Sequence, residues 1–263
     1  MGVPARIDET DPYAAQLFAL VGRSAMQLVR RPEAAFRVEA IRRLRLQALW
    51  LIALGAVSVV ALMVGLDAAE IGLMPPRGAP GVWPVRLVSD FGKDSYMITA
   101  LVAALIVTGL AFPLKHGTAR VNLLRVAGRI EYLLLAVALP VAVSGVIKYV
   151  VGRGRPFVGG TANPFNFAPF TGTEAYFSFP SAHAVTAFAL AIGVAAIWPR
   201  LRIPVLAYAV VIAASRLVLL AHHPSDVVGG AVVGIVGALA VRHWFAVRGL
   251  SFTIAENGKI VPR

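Results

Sequence analysis

The chain contains no cysteine, and it is short of charge. Without cysteine there is no disulfide, no thiolate zinc site and no iron–sulfur cluster. Charged residues make up 14% of the 263 positions and acids number only 13, whereas an ordinary soluble domain is about 25% charged. Hydrophobic residues fill the gap at 58%, and the mean hydropathy is +0.76. These figures exclude a disordered chain, a collagen and a disulfide scaffold, and they point to a polytopic membrane protein. The scarcity of acids leaves a formal net charge of +12. Such a surplus suits a nucleic-acid partner, but it equally suits a membrane protein whose cytoplasmic loops collect basic residues.

Where the apolar residues lie decides between these readings. Six stretches approach the roughly 20 residues that a helix needs to cross about 30 Å of hydrocarbon: 47–66, 96–114, 131–151, 182–198, 201–221 and 226–246. The expected fold is therefore all-α: six transmembrane helices in a bundle (47–246), an amphipathic N-terminal helical segment (1–46) and a tail (247–263). The first 46 residues hold eight arginines and five acids, with apolar residues at helical spacing. That pattern fits helices lying on a membrane surface, or a solvated helical tail. No secretory signal is recognisable there: acids precede the short apolar run from Ala14 to Gly22.

The basic residues sort by side. They gather in the N-terminal segment, in the loop after the second span (Lys115, Arg120, Arg125, Arg129), in the loop after the fourth (Arg200, Arg202) and in the tail (Arg248, Lys259, Arg263). These segments alternate along the chain, so they share one face, which the positive-inside rule makes cytoplasmic. Both termini are expected on that side. The positive balance thus reports orientation, and no nucleic-acid partner is expected.

The opposite ends of the last four spans carry three polar clusters. In Lys148–Pro156 (KYVVGRGRP), Lys148 closes an apolar helix, glycines and proline break it, and Arg155 returns a second cation to the same place. A lysine point charge beside an arginine fork suits a phosphate, although snorkelling to lipid headgroups explains each cation equally simply. In Pro180-Ser181-Ala182-His183, Ser181 is a helix N-cap and the free N–H groups behind it form an anion site. Capping plus an interfacial histidine is the plainer account. The third cluster runs from Ser215-Arg216 to His222 and Asp226. Arg216 sits inside an apolar span, where a charge marks function by default. Asp226 follows His222 by four residues and is the only acid in the thirty residues before Glu256. A carboxylate on one imidazole nitrogen leaves the other free as nucleophile or base. The alternative is a structural ion pair between Arg216 and Asp226.

Taken together, the three clusters resemble the signature of the type-2 phosphatidic-acid phosphatase superfamily: Lys-x6-Arg-Pro, Pro-Ser-Gly-His and Ser-Arg-x5-His-x3-Asp. The resemblance covers roughly residues 85–246, with order and spacing kept. One departure is Ala182 where the family usually has glycine; its N–H survives, and its methyl group narrows the site. The resemblance implies a metal- and cofactor-independent lipid phosphate phosphatase with a phosphohistidine intermediate. His222 would be the nucleophile, with Asp226 orienting it and His183 as general acid and then base. Lys148, Arg155, Ser181, Ala182 and Arg216 would hold the phosphate. His223 is the neighbouring rival, but only His222 keeps the spacing to both Arg216 and Asp226.

Two further segments are candidates for substrate selection. One is the loop 157–179, with seven aromatics beginning at Phe157, which equally suits simple anchoring at the interface. The other is Ser89–Asp94, with Asp90 and Lys93, whose plainer role is to cap the following helix. The expected partners are a lipid phosphate and the bilayer, in a bacterial inner membrane with the site on the periplasmic face. Candidate substrates are a polyprenyl diphosphate, a lipid A phosphate, phosphatidylglycerol phosphate and phosphatidic acid. A lipid phosphotransferase with the same phosphohistidine, and a non-catalytic phospholipid transporter, are the alternatives.

Overall fold

A computed structural model describes residues 9–31, 37–160, 162–255 and 258–263, so the N-terminal segment 1–46 falls partly outside the described residues. The apolar runs become helices because lipid offers no partner to a free amide, and a helix satisfies its backbone within its own segment. In chain order the helices are α1 (Tyr13–Val29), α2 (Arg37–Gly65), α3 (Asp67–Leu73), α4 (Trp83–Asp90), α5 (Asp94–Ala111), α6 (Gly117–Val151), α7 (Ala182–Ile197), α8 (Arg202–Val218) and α9 (Pro224–Ala246). Five of the six expected spans lie in described segments long and apolar enough to cross a bilayer. The sixth, α7, has 16 residues and rises about 24 Å, less than the hydrocarbon thickness. It packs against α6, α8 and α9, and its alanines 184, 187, 189 and 191 are buried. Because α7 is enclosed by other helices, protein rather than lipid sets its length.

Several local expectations change. The basic segment after the second span is not a loop: residues from Gly117 onward form the first turns of α6 and carry Arg120, Arg125 and Arg129. Two short helices, α3 and α4, follow the first span where no element is expected from the sequence. The tail folds back as a hairpin of β1 (Phe252–Ile254) and β2 (Ile260–Pro262), antiparallel with Thr253 opposite Val261. Phe252 is fully buried and meets the Tyr132 ring edge-on at 4.7 Å; Phe245 meets the same ring at 5.3 Å. These rings close one end of the bundle. α1 lies across that same end. Tyr13 donates to the Leu110 carbonyl at the end of α5 (2.7 Å), Ser24 to Glu131 of α6 (2.5 Å), and Trp244 of α9 to the Leu28 carbonyl (3.1 Å). Phe18, Val21, Met26 and Val29 are left exposed on α1.

The other end of the bundle is organised by α7 and α9, which run parallel and start side by side. Their backbones approach at Gly230 and Gly234, a small-xxx-small spacing. A Cβ at Gly230 would stand 2.6 Å from the Ser181 carbonyl oxygen and 2.9 Å from Ala184 Cβ; one at Gly234 would run into the Val185 carbonyl. The approach lets the Ser181 N–H donate to the Asp226 carbonyl at 3.0 Å. Gly230→Ala is therefore expected to cost about 1–3 kcal/mol by overpacking, read as a lower thermal midpoint in detergent. Gly109→Ala on α5, with open space beside it, should hold the wild-type midpoint. Equal midpoints for the two variants would show that the helices can separate without cost.

Candidate functional site

The cluster forms where four helices end or begin together. α6 stops because Gly152 takes a left-handed conformation (φ 55°) and returns its N–H to the Lys148 carbonyl at 2.9 Å. A side chain there would strike the Ala168 carbonyl, so the turn needs glycine. This turn leaves Lys148 on the last turn of the helix, buried, with its ammonium donating to the Phe177 carbonyl at 2.7 Å. The chain then re-enters through Arg153 and emerges at Arg155. The Arg155 guanidinium donates to the Glu174 carbonyl and carboxylate, both at 2.9 Å.

Ser181 caps α7 in an extended conformation. It is fully buried, and its hydroxyl has no partner in the described protein. Ala182 opens the helix and His183 stands in its first turn, with Nε2 buried and without a partner among the described residues. The charges of Arg216, Lys93 and Lys148 all bear on His183, as does His222. Arg216, in the last turn of α8, donates to Ser89 Oγ at 2.5 Å while its Nε has no partner among the described residues. Arg216 and Asp226 therefore do not form an ion pair with each other; Asp226 is held by Arg153 instead, at 2.6 Å.

His222 lies in the short turn between α8 and α9, only 3% exposed, with Nδ1 3.8 Å from Asp226 Oδ2. Burial pushes its imidazole down to about 3, against the pull of Asp226. The ring is neutral at neutral pH and keeps a lone pair available. His223 is the N-cap of α9. Its N–H donates to Asp226 Oδ2 at 2.8 Å, and its Nδ1 is 3.2 Å from the same oxygen. Asp226 thus stands closer to the ring of His223 than to that of His222. The remaining nitrogen of His223 is buried without a partner among the described residues.

The turn between α4 and α5 also belongs to this end. Ser89 accepts from Arg216, and the Tyr208 hydroxyl donates to the Phe91 carbonyl at 2.8 Å. A Cβ at Gly92 would come within 3.3 Å of the His183 ring. Asp90 and Lys93 pair at 2.9 Å on its half-exposed rim. Phe157, by contrast, is half-exposed in the turn directly after Arg155-Pro156, at φ 64°.

Sequence reasoning missed the residues beneath the cluster. Asp226 is held by Arg153 and by the Ser178 hydroxyl at 2.6 Å, and Arg153 in turn by Asp67 at 2.8 Å. Arg153 is visible in the sequence as the middle of the three cations in KYVVGRGRP. Asp67 and Glu70 are visible only as two acids after the first span in an acid-poor chain. Arg77, in the turn after α3, lies close enough to add its charge to those of Arg155 and Arg216. Among the described residues no group of three or more histidine, cysteine or carboxylate side chains could hold a metal ion.

A bundle of apolar helices with two histidines, a carboxylate and several cations gathered at one end defines a multi-pass membrane protein with a buried, cation-rich polar cluster. The comparisons with known proteins agree. Residues 130–250 match the PAP2 superfamily. The chain is 31% identical to a lipid A 1-phosphatase of Rhizobium johnstonii over 206 residues, covering 75% of this chain and 84% of that protein. It is 29% identical to a lipid A 1-phosphatase of Rhizobium etli, covering 77% and 87%. It is 40% identical to a decaprenylphosphoryl-5-phosphoribose phosphatase of Mycolicibacterium smegmatis, covering 63% and 81%. No solved structure matches. The chain belongs to the PAP2, or type-2 phosphatidic-acid phosphatase, superfamily.

Glu70 gives this end of the protein a pH signature. It is buried, and both carboxylate oxygens lack a partner among the described residues. Burial first, then Asp67 and Asp226, raises it from 4.5 to about 7. The folded chain thus keeps a proton that the unfolded chain releases. The associated stability is full below about pH 4.5 and is lost as pH rises through 7. Glu70→Gln, which mimics the protonated acid, should match the wild-type thermal midpoint at pH 5 and exceed it at pH 8. A difference that does not change with pH would refute the raised carboxyl.

Proposed function

We propose that this lipid phosphatase works through a phosphohistidine on His222, at the periplasmic face of a bacterial inner membrane. The observation that carries the reading is the convergence of His222, His183, Lys148 and Arg216 at one end of an apolar bundle. In the first step the His222 Nε2 lone pair forms a bond to phosphorus as the bond to the lipid oxygen breaks. His183 gives that oxygen its proton. In the second step His183 takes a proton from water, the hydroxide attacks phosphorus, and the phosphorus–nitrogen bond breaks. Asp226 orients His222 and balances the positive charge of the phosphorylated ring. Lys148, Arg155 and Arg216, with the N–H groups behind Ser181 and Ala182, hold the equatorial oxygens, where charge sits in such a transition state.

The side of the membrane follows from charge. The site lies at the end opposite α1 and the hairpin tail, and the basic N-terminal and C-terminal segments belong at the cytoplasmic face. The rim made by Asp90, Lys93 and the aromatic loop is the place for the lipid headgroup. Both Rhizobium relatives are named for removing the 1-phosphate of lipid A, which puts that glycolipid first among substrates, ahead of polyprenyl phosphates.

The test is release of inorganic phosphate by purified protein from lipid A, a polyprenyl diphosphate, phosphatidylglycerol phosphate and phosphatidic acid. His222→Ala should lower turnover by on the order of 10³-fold or more and abolish labelling of the protein by a phosphorus-32 substrate. His183→Ala should lower turnover by about 10²–10⁴-fold. Full activity in His222→Ala would sink the assignment, and activity lost instead in His223→Ala would move the nucleophile by one residue.

A further inference from the structure

We propose that Asp67, on the short helix after the first span, is a positioning residue for His222 that acts through Arg153 and Asp226. The proposal rests on the reading of His222 as the phosphoryl acceptor and extends the working unit to a segment outside the residues that match the family, 130–250.

Arg153 is 1% exposed, and every N–H of its guanidinium is used. Nη1 donates to Asp226 Oδ1 and to Ser225 Oγ, both at 2.6 Å. Nη2 donates to Asp67 Oδ2 at 2.8 Å and to the Pro164 carbonyl at 2.9 Å, and Nε donates to the same carbonyl at 3.1 Å. Asp67 is fully buried. Its second oxygen accepts the Ser225 N–H at 3.0 Å, and the Ser225 hydroxyl bridges back to Oδ2. Ser225 is the residue before Asp226, so Asp67 holds the first turn of α9 by its backbone as well as through Arg153.

This arrangement does two things. First, it fixes which carboxylate oxygen faces the imidazoles. Arg153 occupies Asp226 Oδ1 and leaves Oδ2 toward His222 and His223. Secondly, it sets the charge behind the ring. Arg153 paired with Asp226 alone would be neutral and would offer little to a cationic phosphohistidine. Shared with Asp67, the guanidinium leaves an excess of one negative charge in a buried site, where charge acts strongly. Asp67 touches neither substrate nor histidine; it restores to Asp226 the charge that Arg153 would otherwise cancel.

The test compares Asp67→Asn, which keeps the shape and one of the two accepting oxygens but removes the charge, with Arg153→Lys, which keeps a charge that cannot span both carboxylates. Each is expected to lower kcat by on the order of 10- to 100-fold, to slow formation of the phosphorus-32-labelled protein in rapid mixing, and to leave KM within about twofold. In the double variant the losses should fall short of additive, because Asp67 and Arg153 act on Asp226 within one connected network. A merely structural role would lower the thermal midpoint and the active fraction and leave the labelling rate of the surviving protein unchanged. Wild-type kcat in either variant, a loss confined to KM, or additive losses would overturn the proposal. If Arg153→Lys does not fold, the Asp67→Asn labelling rate decides alone; if Asp67→Asn does not fold, the Arg153→Lys rate does. Inactive His222→Ala with normal Asp67→Asn would defeat the relay and leave the nucleophile standing. Active His222→Ala would remove the reading on which both rest.

Discussion

Two parallel helices begin at the same depth, and the site depends on how closely they approach. Gly230 and Gly234 let the backbone of α9 lie against that of α7, and only then can the Ser181 N–H reach the Asp226 carbonyl. The pairing puts the positive ends of two helix dipoles together, with His183 in the first turn of one and His222 just before the other. Such a place repels cations and attracts anions. Yet Lys148 and Arg216 also point there, held by the Phe177 carbonyl and by Ser89 rather than by carboxylates. Helix packing therefore provides the low potential energy for an anion, and neutral acceptors keep the cations in place without discharging them.

The carboxylates are placed with equal discrimination. Asp226 pairs with Arg153 beneath the site rather than with Arg216 beside it. An Arg216–Asp226 pair would have neutralised a cation of the cluster and turned the carboxylate away from the imidazoles. Asp67 absorbs part of the Arg153 charge, and Glu70, whose proton is favoured by burial and by the charges of Asp67 and Asp226, adds its full negative charge only above about pH 7. The network leaves the cations facing outward and the anions behind the histidines. On the proposed reading, the phosphate oxygens face the cations and the positive charge that develops on the His222 ring faces the anions.

The legible part of the chain was the part with a local pattern. Spans are runs of apolar residues, and the three clusters are short motifs at fixed spacing, so both can be read from consecutive positions. The start of α6 was not legible, because Gly117–Arg129 carries the charges of a loop on a helix that projects beyond the apolar run. The tail hairpin has strands of three residues and exists because Phe252 finds Tyr132 more than a hundred positions away. Asp67 meets Arg153 across 86 positions, and no spacing rule connects two single charged residues that far apart. His223 misleads for the opposite reason: its ring approaches Asp226 more closely than that of His222 because it caps the helix Asp226 belongs to.

The same geometry argues why the first span belongs with the site. α2 is largely lipid-facing, with Leu49, Trp50, Val57 and Val64 exposed, and its main protein neighbour is α9. By packing alone it would be a peripheral helix. Its outer end, however, delivers Asp67 into the layer beneath His222, where the backbone and hydroxyl of Ser225 and the guanidinium of Arg153 all converge on one buried carboxylate. A buried charge is tolerated only where its partners are fixed, so a shift of α2 along α9 would strand Asp67 and Arg153 together. The position of a lipid-facing helix is thereby tied to the orientation of Asp226, and that dependence is electrostatic rather than steric.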